Sequence, residues 1–255
     1  MAQDSLGGGA VRFNIGQVIS TSIAVFLRNL VPFTVITVIV GIPYILVSLL
    51  GGGGIDAAEI ERTGQLPSGF WGMAAITMLI FILTYALTQS ALIYGTVQDL
   101  RGQRASFGDC LSRGLSALPR VMIAALLASI AVAIGSMLLL IPGLILLVMW
   151  WVMVPAIVVE GADVGGSFGR SRDLTRGHRW GIFGILVLVA IAQWVVSFVI
   201  GLLGLALGGA VLAIVNLAVM LIFTAFACVL SAVGYYYLRA EKEGIIIDDI
   251  ARVFD

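Results

Sequence analysis

Charge is scarce in this chain of 255 residues, at 11% of positions, and there is one histidine and only two cysteines. Each scarcity excludes something. A charged share below half of the roughly one quarter usual in soluble domains cannot coat a water-facing surface. One histidine, His178, cannot form a helix-borne zinc pair, and no Ser or Cys is spaced to make a nucleophilic site with it. Two cysteines give no disulfide framework. Cys110 falls in a polar connection and Cys228 in a hydrophobic run, and both read as inert thiols. The opening residues, Met1 to Phe13, lack a basic segment followed by an apolar core and a cleavage site, so no removable signal peptide is expected.

Also missing is any ionisable side chain in the middle of a long apolar run, which argues against proton or sodium coupling, voltage sensing and intramembrane metal chemistry. No metal or other cofactor is expected. What the chain has in abundance is apolar sequence, 60% of residues, with a mean hydropathy of +1.11. Its solvent is therefore lipid, and each crossing takes about 20 apolar residues. Six segments qualify, roughly 30–50, 71–96, 118–141, 143–159, 180–203 and 209–236. Residues 118–159 carry no charge after Arg120 and run to about twice the length of one crossing. The Ile141-Pro142-Gly143 step divides them, and Leu205–Gly209 divides the last two. The expected fold is all-α and polytopic, with a six-helix membrane domain over 12–238. A disordered tail over 1–11 precedes it, and a cytoplasmic tail over 239–255 follows.

Arg62 alone of the 14 basic residues falls in a loop on the far side of these crossings. Short loops rich in Arg and Lys stay in the cytoplasm, so both termini are expected there, in a bacterial inner membrane. Trp71 at the outer ends, and Trp180 with Tyr235-Tyr236-Tyr237 at the inner ends, fit interfacial belts. Three cytoplasmic stretches open alike, at Phe13-Asn14-Ile15-Gly16, Ser106-Phe107-Gly108-Asp109 and Ser167-Phe168-Gly169-Arg170, and each precedes a hydrophobic hairpin. In the first, Ile15, Val18, Ile19, Ser22, Ile23 and Phe26 share a helical face opposite Asn14, Gln17, Thr21 and Arg28. In the second, Phe107, Cys110, Leu111, Leu115 and Leu118 do the same. The third has only Phe168 and Leu174. This pattern predicts interfacial amphipathic helices and a three-fold hairpin repeat.

The candidate binding residues are basic. Arg113, Arg120, Arg170, Arg172, Arg176 and Arg179, with His178, and with Arg101 and Arg104 on the same side, suit phosphate or anionic head groups. Topology alone also accounts for such charges, and His178 alternatively orders a helix start. Gln89, Gln193 and Asn216 are the strongest polar groups inside the spans. They either line a solute path or bond between helices. Gly204 and Gly208, and Ala124 with Ala128, have the spacing of close helix contacts. Pro32, Gly41, Pro43 and Pro155 are expected to kink helices and free carbonyls. The Gly51–Gly54 run lacks the Lys and Ser/Thr of a phosphate loop and reads as a linker.

The chain resembles a group of bacterial six-helix membrane proteins of unassigned function, including the membrane domain attached to some glycerophosphoryl diester phosphodiesterases. The resemblance rests on Phe13–Pro32, Ile141-Pro142-Gly143, Pro155–Glu160 and Ser167–Trp180. The last of these reads Arg170-Ser171-x-x-Leu174-Thr175-x-Gly177-x-x-Trp180. No soluble stretch is long enough to hold the hydrolase domain, so phosphodiesterase activity is not carried over. The resemblance implies a membrane module that assists a partner or a lipid-related process. The expected function is a non-enzymatic scaffold with a basic cytoplasmic face toward membrane lipids, a membrane-protein partner or a second copy, and no nucleic acid. The alternative is a facilitator for a lipid-like or small neutral solute. A lipid-phosphate enzyme using Arg176, His178 and Arg179 is a third reading.

Overall fold

The computed structural model describes residues 13–52, 69–204 and 209–244. The N-terminal tail, the loop carrying Arg62 and the last two of the four linker glycines, the turn with Gly208, and the C-terminal tail beyond 244 lie outside the described residues. Within them the fold is helical throughout, with no strand. The helices are α1 Ile15–Arg28, α2 Leu30–Gly52, α3 Phe70–Leu100, α4 Phe107–Leu138 and α5 Leu140–Met149, then α6 Met153–Glu160, α7 Val164–Thr175, α8 Arg179–Gly204 and α9 Gly209–Glu243. Six stretches are long and apolar enough to cross a membrane: Leu30–Val47, Phe70–Leu100, Phe107–Leu138, Leu140–Glu160, Arg179–Gly204 and Val211–Glu243. They coincide with the six segments read from the sequence, and α9 continues past 238 into the region assigned to the tail.

Three boundaries differ, each for a local reason. The second amphipathic stretch is not a helix of its own, because α4 runs unbroken from Phe107 through the crossing. A capping box starts it: Asp109 N–H donates to Ser106 Oγ at 3.1 Å, and Ser106 N–H donates back to Asp109 Oδ2 at 3.2 Å. Cys110, Gly114, Ala117, Val121 and Ala124 then bury one narrow face, which carries the helix past Pro119. The second difference is the position of the α4–α5 turn, which falls on extended Leu139 and leaves Pro142 in the first turn of α5, where its missing N–H costs little. The two helices touch at this hairpin, and a Cβ on Gly143 would sit 2.9 Å from the backbone nitrogen of Ser136. The third is the fourth crossing, which is two helices, α5 and α6, separated at Trp150–Val152. Pro32 likewise lies in the first turn of α2, whereas Pro43 is inside it.

Of the amphipathic stretches, α1 and α7 are separate helices. Asn14 caps α1 by accepting from Gly16 N–H at 2.8 Å. Its buried face differs from the expected one, since Val18, Thr21, Ser22, Val25 and Phe26 face inward while Ile15 and Ile23 are exposed. Thr21 is drawn inside because its hydroxyl meets Tyr237 Oη at 3.0 Å, and Phe26 packs edge-on against Phe226. The three similar openings are also not equivalent here. Asn14 and Ser106 are caps, whereas Ser167 lies inside α7, fully buried, donating to the Val164 carbonyl.

Packing is concentrated toward one end. The buried residues of α3 begin at Ala86, those of α4 run mainly from Cys110 to Ala124, and those of α9 begin at Ala225. Around them gather α1, α6 and the start of α8, through Val18, Ile157 and Ile185. Away from this end the helices are clothed in exposed apolar side chains, such as Trp71, Leu126, Trp194 and Ile214.

Candidate functional site

The tightly packed end is also the charged end. Charge-bearing connections there are tied by contacts between elements: Arg28 with Asp99, Arg120 with the Gly161 carbonyl at 2.7 Å, and Arg170 with Glu160 and Glu243. The chemistry begins at the broken crossing. Pro155 has no N–H for the Trp151 carbonyl four residues back, and the turn at 150–152 leaves Met149's carbonyl without its helical partner. Hydroxyls replace both. Ser231 Oγ donates to the Trp151 carbonyl at 3.0 Å, while Ser171 Oγ and Thr175 Oγ1 donate to the Met149 carbonyl at 2.9 and 3.2 Å. Freed carbonyls in a membrane helix call for such partners. They explain why the inward face of α7 carries hydroxyls, with Ser171 and Thr175 one turn apart and wholly buried.

Beyond the break, α6 ends on Glu160, which anchors a network among α6, α7 and α9. Arg170 Nε lies 2.9 Å from both Glu160 carboxylate oxygens and its Nη2 lies 2.7 Å from Oε1. The same guanidinium also reaches Glu243. Arg239 closes the ring from Nε to Glu243 Oε2 at 2.7 Å, and Tyr235 Oη donates to Glu160 Oε1 at 2.6 Å. The hydrogen-bonded carboxylate of Glu160, with that of Glu243, holds the Arg170 guanidinium well above its ordinary pKa. Of the tyrosines read as an interfacial belt, Tyr235 and Tyr237 are thus internal partners, since Tyr235 is 1% exposed and Tyr237 bonds Thr21. Trp71 and Trp180 are fully on the outside.

The predicted basic residues divide into two groups. Arg120 and Arg170 are engaged as above, and His178 Nε2 lies 3.2 Å from Glu241 while its ring packs on Phe13. Phe13 N–H in turn donates to Glu241 Oε2 at 2.6 Å, so this pair tethers the start of the described chain. Arg179 is half-buried, and its Nε has no partner among the described residues. The other group is exposed: Arg113, over the ring of Tyr94, with Arg101, Arg104, Arg172 and Arg176. Arg176 and Arg179 flank His178 in sequence but form no shared cradle with it among the described contacts.

The three amides are satisfied locally or face outward. Gln89 is half-buried and interacts with Tyr85, one turn earlier on α3. Asn216 is exposed and donates to its own helix at the Leu212 carbonyl, 3.0 Å away. Gln193 is exposed on α8, with no partner among the described residues. Ala124 is buried and Ala128 packs beside the core, as their spacing anticipates, and Gly204 abuts Leu212. Among the described residues no group of three or more His, Cys, Asp or Glu is arranged to hold a metal ion.

Sequence reasoning missed the Glu160 network and the captured carbonyls. A signal existed for the first: Glu160 closes an apolar run, and Arg239 and Glu243 sit four residues apart just past another. For the second, the signal was the Ser171 and Thr175 pair following a proline-bearing crossing.

Six stretches of crossing length, apolar among the described residues except toward one polar and internally bonded end, define a multi-pass membrane protein. Residues 106–241 match the family described as "Domain of unknown function (DUF7847)". That match spans more than half of the sequence, and the chain belongs to this family. It begins at the Ser106 cap and ends at Glu241, enclosing α4 to α8 and nearly all of α9. It makes no link to the glycerophosphoryl diester phosphodiesterase membrane domain. No curated protein and no solved structure matches the chain.

Proposed function

We propose that this protein is a non-enzymatic scaffold or accessory module of the bacterial inner membrane. Its charged end and both termini lie in the cytoplasm, facing anionic lipid head groups or a membrane-protein partner. The observation that carries this reading is the division of the basic residues at that end. Asp99, Glu160, Glu241 and Glu243 there are engaged by Arg28, Arg170, Arg239 and His178, while Arg101, Arg104, Arg113, Arg172 and Arg176 stay exposed and outnumber the exposed carboxylates Asp109, Asp163 and Asp173. Retention of Arg-rich connections in the cytoplasm supports the orientation, and juxtamembrane arginines gain about 1 kcal/mol each from an anionic leaflet. In this reading α1 and α7 lie in the interface. The two capped openings support a repeated hairpin plan, and the Ser167–Trp180 sequence supports kinship with the phosphodiesterase membrane domain.

Extraction of the protein with its surrounding bilayer tests the proposal. Lipid mass spectrometry is expected to find anionic lipid enriched over the bulk membrane, and the enrichment should fall in an Arg113→Gln, Arg172→Gln, Arg176→Gln variant. A lipid shell of bulk composition, unchanged by the variant and with no stoichiometric partner, would overturn it.

A further inference from the structure

Outside the Glu160 network, a half-open cleft of about 670 Å³ lies where α1 turns into α2 and α3 gives way to α4. Its size is ordinary for a ligand site, which spans about 300–1,000 Å³. Its wall is apolar. Val31, Val35 and Ile39 recur every fourth residue along α2, all exposed, and Phe107 stands opposite on α4. From Val31 to Ile39 the helix advances about 12 Å, so the groove runs from the charged end down the flank of a crossing segment.

The rim is polar and held in place. α3 ends in a double turn, with Gly102 N–H bonded to the Asp99 carbonyl at 3.0 Å and Gln103 N–H to the Gln98 carbonyl at 2.9 Å. The Ser106 and Asp109 capping box restarts the chain as α4. Gln103 and Arg104, between these two locks, overlie the cleft. Asp99, the carboxylate in the lining, is paired with Arg28. Arg104 is exposed, and among the described residues it has neither hydrogen bond nor ion pair. The rim therefore offers one uncompensated positive charge on a guanidinium fork, the group best matched to a phosphate. With Asp99 taken, no carboxylate in the lining is free to receive an ammonium head.

We propose that this cleft binds one phospholipid of single net negative charge, its phosphodiester on Arg104 and the Gln103 amide and its acyl chain along Val31, Val35 and Ile39. The proposal rests on the reading that this end faces an anionic leaflet. It adds a discrete site on α1 to α4, apart from the exposed arginines of α7.

Native mass spectrometry of the full-length protein, released from nanodiscs of mixed phosphatidylglycerol and phosphatidylcholine, tests it. One phosphatidylglycerol per chain should survive release, favoured about tenfold over phosphatidylcholine, which has the same phosphodiester but adds a choline cation that Arg104 repels and no free carboxylate in the lining receives. Arg104→Gln should abolish the head-group preference. Val35→Trp, or Ile39→Trp should the first fail to fold, should remove the retained lipid of either kind by filling the groove. Arg172→Gln with Arg176→Gln should leave it in place. Retention indifferent to Arg104→Gln and to the groove-filling variants overturns the site, as does a second copy of the chain or another protein in place of lipid. If Arg172→Gln with Arg176→Gln removes the preference while Arg104→Gln does not, the cleft fails and the broader lipid-facing reading stands. Absence of any anionic preference in every variant defeats both.

Discussion

Ser231 on α9 donates to the backbone carbonyl of Trp151 at 3.0 Å, taking the place of the N–H that Pro155 lacks. Between two helices that share no loop, this bond turns a sequence defect into a tertiary contact. Gly234, one turn further along α9, admits the Trp151 ring against its backbone. Ser231→Ala leaves that carbonyl without a partner and should cost about 1–2 kcal/mol. Ser231→Thr should restore most of it. Reversible unfolding in mixed micelles gives the numbers, and a Ser231→Ala variant as stable as the parent would show that the bond is replaceable.

Gly143→Ala should be damaging out of proportion to its one added methyl. The new Cβ would lie 2.9 Å from the Ser136 backbone nitrogen, so the α4–α5 hairpin has to part, at about 1–3 kcal/mol. Gly201→Ala on α8 meets nothing within 4 Å and should be neutral or slightly stabilising. Melting temperatures of the two variants in one detergent make the comparison, and equal losses would refute it.

Glu160 and Arg170 should be strongly coupled. Each single change, Glu160→Gln or Arg170→Gln, leaves a charge facing an incomplete ring. The side chains are 21% and 29% exposed, so the loss is discounted for solvent to about 1–2 kcal/mol. The double variant should lose clearly less than the sum of the two. Additive losses in a double-mutant cycle would mean that the two residues act apart.

Neither native cysteine should react with a membrane-impermeant maleimide in the folded protein, from either side, because Cys110 and Cys228 are both buried. A cysteine introduced at exposed position 172 (Arg172→Cys) should label only from the cytoplasmic side. Labelling of that residue in intact cells from outside would reverse the proposed orientation.

Gln193→Leu should not destabilise the protein, because the Gln193 amide is exposed on a crossing helix without a described partner. Loss of solute flux in vesicles bearing this variant, at unchanged stability, would favour the facilitator reading over the scaffold.

The crossings were legible because about 20 uncharged apolar residues admit little else. The start of a helical stretch at Ser106-Phe107-Gly108-Asp109 was legible too, although the capping box that starts it emerges only in the structure. Thr21 was not. A helical wheel sorts by polarity, and this hydroxyl turned inward only because Tyr237, far along the chain, supplies a partner. The basic residues showed a similar limit. Arg170 and Arg172 are both arginines on α7, yet the first is held by Glu160 and Glu243 and the second is exposed. That division is decided by where α6 and α9 end, which local sequence does not record.

The concentration of buried residues toward the charged end has one further consequence. Along α8 from Val187 to Leu203 only Ile200 is buried, and the first ten residues of α3 bury nothing. Over those stretches the chain has few contacts of its own to fix how the helices tilt or spread. The surrounding acyl chains face most of these surfaces, so helix tilt at the far end should follow membrane thickness more readily than at the charged end, where side chains lock the helices to one another.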